Sequence, residues 1–105
     1  FRWYQKGAEA GDGGAMCGLG NCYYNGWGVE RDYAEAFRWY QKGAEAGIGA
    51  AMNGLGLCYE HGNGVTKNLD EAERWYRKAI ETAPAQKDFA ERGLERVKAA
   101  RATQE

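Results

Sequence analysis

Residues 37–47 read FRWYQKGAEAG, and residues 1–11 read FRWYQKGAEAG as well. The offset is 36 residues, and it runs past the identical stretch. Laying 1–36 over 37–72 gives 24 identical positions. They include Ala15/Ala51, Met16/Met52, Gly18/Gly54, Leu19/Leu55, Gly20/Gly56, Cys22/Cys58, Tyr23/Tyr59, Gly26/Gly62, Gly28/Gly64, Val29/Val65 and Ala36/Ala72. A weaker third copy follows at 73–83, where Trp75-Tyr76 repeats Trp39-Tyr40. A period of about 20–50 residues marks a solenoid, whose units bury their apolar faces only by stacking on one another.

Within each unit the pattern is helical. Residues 1–10 carry Phe1, Trp3, Tyr4, Gly7 and Ala8 as apolar positions, and Gly11 to Gly14 break the run. Residues 14–25 place Ala15, Leu19, Cys22, Tyr23 and Gly26 on one stripe. Glycine in an isolated helix costs about 1 kcal/mol against alanine, so these glycines suit a helix that another approaches closely. After the loop 26–31, Asp32 with Glu35 predicts an N-cap and capping box. That helix runs to about Ala46, and Gly47 ends it.

The second unit repeats the plan: a helix at 50–61, a loop at 62–65, and a helix at 69–82 capped by Asn68 and Glu71. Pro84 then suits the first turn of a new helix. Residues 85–102 put Ala90, Leu94 and Val97 on one side. Leu94 follows Leu55 by 39 residues, so the register has slipped, and the loop glycines are gone. This predicts a polar C-terminal capping helix, with a tail from Ala102 to Glu105 that should fray. There is no β-branched run and no strand signal. The expected architecture is an all-α, α/α superhelical solenoid. Its parts are the second helix of a truncated repeat (1–11), two repeats (12–47 and 48–83), and a capping helix and tail (84–105).

A chain of 105 residues allows one small domain, and 44% apolar content supplies its core. The net charge of −1 does not steer the protein toward nucleic acid or an anionic membrane. No apolar run nears the roughly 18 residues of a membrane span. Cys22 and Cys58 occupy one position in successive units, and stacked helices about 8–10 Å apart are too distant for a disulfide. Cys17 and Cys22 face different sides of one helix. The expectation is three free, partly buried thiols and a reducing or indifferent compartment. No targeting segment is visible. The chain opens at Phe1, inside a repeat and without Met, as a piece of a longer array would.

Ala15-x-x-x-Leu19-Gly20-x-x-Tyr23-x-x-Gly26-x-Gly28-Val29, then Ala36-x-x-Trp39-Tyr40 and Ala44-x-x-Gly47, is similar to the Sel-1-like repeat. The match recurs at Ala51, Leu55, Gly56, Tyr59, Gly62, Gly64, Val65, Ala72, Trp75 and Tyr76, and it covers residues 1–83. Asn68 in place of Asp32 and Ala79 in place of Gly43 are mild departures. This family is a cousin of the tetratricopeptide repeats with a longer loop between its helices. The resemblance implies an α/α superhelix that serves as an adaptor in protein complexes, usually without catalysis.

Comparing the two units locates a candidate surface. In the first helix of the unit five positions differ: Gly14/Ala50, Cys17/Asn53, Asn21/Leu57, Tyr24/Glu60 and Asn25/His61. They fall within one sector of about 100° on the helical wheel. The identical positions are then where the units pack, and the differing sector is free of packing duty. In tetratricopeptide-like solenoids that sector lines the concave groove; the alternative is an exposed face that drifts. The candidate groove residues are Cys17, Asn21, Tyr24, Asn25, Asn53, Leu57, Glu60 and His61. Their amides can bond the backbone of an extended peptide. No Lys or Arg occurs in 13–26 or 49–62, so a clamp for a carboxylate terminus is not expected.

Other chemistry is thinly supported. His61 is the sole histidine, with Glu60 beside it in sequence, and a metal site needs more ligands. No cofactor is implied. The cysteines lack a base at helical spacing. A third function class, a penicillin-binding enzyme of the cysteine-rich type, stands only as an outlier, because those members of the family carry paired cysteines in each repeat, which this chain lacks. Trp27 has Asn63 as its counterpart, so it is either an exposed contact or packing over the preceding repeat. The Trp39-Tyr40 and Trp75-Tyr76 pairs belong to the core. Glu35, Arg38, Gln41, Lys42 and Glu45 form a solvated convex face. The leading expectation is a non-catalytic scaffold that binds a peptide or helix. The alternative is a module that self-associates through Phe1, Trp3 and Tyr4 at its open N-terminal end.

Overall fold

The computed structural model describes residues 1–104. Six α-helices follow one another: α1 (Arg2–Glu9), α2 (Gly13–Asn25), α3 (Tyr33–Glu45), α4 (Gly49–His61), α5 (Leu69–Thr82) and α6 (Lys87–Gln104). A 3-10 turn at Pro84–Gln86 leads into α6. Successive helices pack as antiparallel neighbours, and α2, α4 and α6 also line up side by side. No strand occurs among the described residues. The result is the all-α solenoid that the period implies, 45 × 28 × 18 Å in extent.

Local signals explain the helix ends. Asp12, Asp32 and Asn68 accept hydrogen bonds from the backbone N–H groups of Ala15, Glu35 and Glu71 at 3.1–3.2 Å. The capping boxes are only half formed. The N–H groups of Asp32 and Asn68 donate instead to the carbonyls of Tyr23 and Tyr59, both at 2.9 Å. Glu35 and Glu71 are thereby released to pair with Arg38 and Arg74. At Asp12's position in the second unit stands Ile48, which gives no side-chain cap and packs over Gly13. Gly26 and Gly62 close α2 and α4 in the left-handed conformation, at φ 72° and 69°.

The stack is keyed by tyrosines set against glycines. Any side chain at Gly20 or Gly54 would strike the Tyr40 ring, with a Cβ only 2.7 or 2.6 Å away. Gly56 and Gly93 flank Tyr76 in the same way. Both tyrosines are at least 98% buried, Tyr40 being 2% and Tyr76 0% exposed. The helical glycines thus admit an aromatic ring between neighbouring first helices, which offsets their poor propensity.

The capping helix uses the same device. Ala90, Gly93, Leu94 and Val97 stand 39 residues after Ala51, Gly54, Leu55 and Cys58. Ala90 and Val97 are fully buried, and Leu94 is partly buried against the same core. So α6 is a first-type helix one turn out of register, with Pro84–Gln86 accommodating the shift. It continues to Gln104, and Arg101 bridges to Glu73 and Asp70 on α5. Glu105 lies outside the described residues. A second adjustment concerns Trp75, which is only partly buried, whereas Trp39 is 9% exposed.

Candidate functional site

The inner face of the stack is lined by α2, α4 and α6. There the structure brings together Asn21, Asn53 and Leu57, three of the residues singled out by comparing the units. They border a cleft of about 160 Å³ with Tyr40, Ala50, Gly54, Gln86 and Phe89. None of these eight residues carries a charge. Phe89 is 44% exposed at one edge. It was missed in the sequence, yet at the offset of 39 it stands at Ala50's position, inside the differing sector. Gln86 gave no signal, because it lies on the turn where the register slips.

The other candidates are not in the cleft, and the claim that the differing sector is free of packing duty is wrong. Cys17 and Asn53 are 6% and 2% exposed, and Glu60 is 7% exposed. The sector is wide enough that one edge faces inward solvent while the other faces the buried tyrosines. Two of its positions, 21/57 and 24/60, reflect how each unit satisfies its tyrosine. The Tyr40 hydroxyl donates to Asn21 Oδ1. The Tyr76 hydroxyl donates to Glu60 Oε1 at 2.7 Å. Arg96 of α6 completes that site, its Nε 2.8 Å from Glu60 Oε2. This pairing raises the guanidinium's affinity for its proton. His61 sits beside it, 3.5 Å from Glu60, and is exposed. Glu60 is therefore the bond between α4 and the capping helix rather than a groove residue.

Tyr24, at Glu60's place in the first unit, packs edge-on against Tyr33 and accepts a hydrogen bond from Asn63 at 3.0 Å. Asn25 is exposed and bonds its own helix at Asn21 O. Burial pushes the Cys17 thiol up to about 11 and the Cys58 thiol up to about 12. Both stay protonated near neutrality, which makes them poor nucleophiles. All three cysteines are free and buried.

Asn53 stands apart. Its Nδ2 donates to Gln86 O at 3.3 Å and to Gln86 Oε1 at 3.1 Å, while its Oδ1 is buried with no partner. A backbone carbonyl can only accept, so the amide must turn its NH₂ toward Gln86. An unpaired buried acceptor costs about 1–3 kcal/mol.

A second open surface lies at the N-terminal end. Trp3 is 88% and Tyr4 44% exposed. With Lys6, Gly7, Asp12, Gly14 and Ala15 they border a depression of about 580 Å³. Phe1 does not belong to it, because its ring lies edge-on to Tyr23 within a small core. Tyr4 has a glycine neighbour on one side only, Gly18. Trp27 is 61% exposed.

A family model described as Sel1 repeat matches residues 1–12, 14–48 and 49–81. The chain belongs to the Sel1 repeat family. Among solved structures it is similar to a protective antigen of uropathogenic Escherichia coli strains displaying an SLR fold. The identity is 42% and the TM-score 0.73, over 76% of this chain and 17% of that one. A Sel1 repeat protein from Oxalobacter formigenes is 44% identical at a TM-score of 0.66, over 69% of this chain and 30% of that one. Helicobacter pylori cysteine rich protein B is 28% identical at a TM-score of 0.73, over 78% and 62%. The chain thus spans less than two thirds of each of these structures. Comparison with curated sequences finds no significant match.

Sel1 repeats generally act as protein–protein interaction modules, and the family is typically a non-enzymatic scaffold. Among the described residues of these Sel1 units no group of three or more His, Cys, Asp or Glu could hold a metal ion. Among the described residues no helix is long and apolar enough to cross a membrane.

Proposed function

We propose that this Sel1 chain is a non-catalytic scaffold that seats a segment of a partner protein in the inner cleft. The observation that carries this reading is the convergence there of amide groups and apolar surface without charge. Asn21 and Gln86 supply polar atoms, while Leu57, Phe89 and the Tyr40 ring supply the walls. The cleft is smaller than the roughly 300–1,000 Å³ of small-molecule sites. It suits one side chain of a larger ligand, with flanking residues lying along α2 and α6. Of the residues proposed from sequence, Asn21, Asn53 and Leu57 remain in the site, and Phe89 and Gln86 join them.

The test is a binding comparison with peptides selected on the protein. Leu57→Asp places a charge in the cleft at a position where the first unit already carries the polar Asn21, so folding should survive. Phe89→Ala removes the exposed wall. Each should weaken binding about tenfold or more, as loss of a central contact does. Gln41→Ala on the convex face should leave it unchanged. Binding that ignores the first two substitutions would place the site elsewhere.

A second reading is self-association through the N-terminal end, favoured by the exposure of Trp3 and by Tyr4's open side. An apolar patch of this kind marks association sites. Sedimentation across a concentration series, with and without Trp3→Glu plus Tyr4→Lys, decides it. A strictly monomeric wild-type chain at high concentration would remove this reading and leave the first intact.

A further inference from the structure

We infer that the cleft is built to take the side-chain carboxamide of a glutamine or asparagine from the bound segment; this rests on the groove reading above. Asn53 carries the argument. It lines the cleft, is 2% exposed, and holds an acceptor, Oδ1, without a partner. Packing does not demand an amide there, because Cys17 fills the same position of the first unit and is buried as well.

The neighbouring groups complete the pattern. Gln86 Oε1 receives the Asn53 amine, so the NH₂ of Gln86 is turned away from Asn53 and has no partner among the described residues. Asn21 Oδ1 receives the Tyr40 hydroxyl, which leaves the NH₂ of Asn21 unpartnered in the same way. Two NH₂ donors and one acceptor without partners therefore belong to residues that line one uncharged cleft. A primary carboxamide is the complement: its oxygen has two lone pairs for two donors, and its NH₂ supplies the donor that Asn53 Oδ1 lacks. A carboxylate would duplicate the acceptor and bring an uncompensated charge. An apolar side chain would leave all three groups unpaired. The methylenes of a glutamine would run between Leu57 and Phe89.

The test uses random nonapeptides displayed on phage and selected on the whole chain, with the Leu57→Asp protein as a counter-screen. The enriched peptides should fail to bind Leu57→Asp and should share Gln or Asn at one position. In a blocked synthetic peptide of that sequence, changing this residue to Glu or Met should weaken binding to the wild-type protein at least about tenfold, because the site's polar groups are then left unpaired. On Asn53→Leu, which leaves the Asn21 and Gln86 donors in place, the Gln peptide should weaken about threefold or more while the Met peptide does not, so the preference narrows. If that variant loses its helical circular dichroism, Asn53→Cys takes its place, since the fold holds cysteine at the sister position. Cleft-dependent peptides without a shared Gln or Asn, or a Met peptide that binds equally well, would overturn the carboxamide inference and leave the groove reading standing. No enrichment, or binding indifferent to Leu57→Asp, would overturn both.

Discussion

The two units share 18 of 36 residues and one backbone plan, yet they complete their buried tyrosines in opposite ways. Tyr40 in the first unit meets a neutral amide at the edge of an open cleft. Tyr76 in the second meets the side chain of Glu60, sealed by Arg96 from the capping helix. The wheel position that holds Glu60 in one unit holds Tyr24 in the other, and the position of Asn21 holds Leu57. The difference teaches that identical residues in such an array build the stack. The substituted ones decide which neighbour a unit accepts and whether its inner face stays open.

The largest expected effect separates these two solutions directly. Arg96→Ala strands Glu60, whose side chain is 6% exposed, next to a buried hydroxyl. Removing one partner of a buried pair costs about 3–5 kcal/mol. Arg96 itself is half-exposed, so water can reach the stranded group, and roughly 2–3 kcal/mol is expected. Asn21→Ala removes one neutral bond at a wet edge and should cost about 1 kcal/mol. Urea denaturation of both variants measures the ratio. Equal losses would break the contrast between a sealed and an open unit.

Leu94→Ala comes next and asks whether the second unit needs its cap. The side chain packs on the main core but is only partly buried. Roughly 2 kcal/mol is expected, near the low end for leucine truncation. An unchanged midpoint would mean that Leu94 adds nothing to the hold that Ala90, Val97, Arg96 and Arg101 give α6.

How far the sequence reveals all this depends on what kind of contact is at stake. Contacts made twice, such as Tyr40 on Gly20 and Tyr76 on Gly56, leave a repeated signature that needs no structure to find. The slip to 39 residues was visible too, but it was not carried through to Phe89. What could not be read was the direction of the differing positions. Asn53 and Glu60 look like free surface in a helical wheel, because a wheel shows the face of one helix and not what a third helix brings to it. Arg96 and Gln86 come from beyond the repeating part, where period carries no information. The capping box at Asp32 failed for a similar reason: its N–H is taken by the carbonyl of Tyr23 across the loop, a partner that local pattern cannot weigh.

The thiols offer a milder contrast that shows up with pH. Both Cys17 and Cys58 are pushed up from 9.0 by burial, to about 11 and about 12. A folded value above the unfolded one means that stability is complete below about pH 9 and declines as pH rises toward the folded values. Stability measured between pH 8 and 11 should therefore fall, and less steeply in Cys58→Val, whose new residue matches Val97 of the capping helix. All three thiols should resist alkylation at pH 8 in the folded protein and react fully after unfolding. Fewer than three reactive thiols in the unfolded, unreduced chain would mean a disulfide, against the free state of all three.

The smallest effect is expected at Asn53, and it sharpens the comparison most. Asn53→Cys gives the second unit the residue of the first. It removes two hydrogen bonds to Gln86, each worth about 0.5–1.5 kcal/mol. It also removes an orphaned acceptor that costs about 1–3 kcal/mol. Gln86 is partly exposed, so water can take over the acceptors it loses. The terms oppose each other, and the net change in stability should stay below about 1 kcal/mol in either direction. A loss of about 3 kcal/mol or more would show that the amide is structural, held for the junction with α6 just as Glu60 is. A near-neutral result leaves folding with no reason for an amide at this place, and the open cleft beside it becomes the reason that remains.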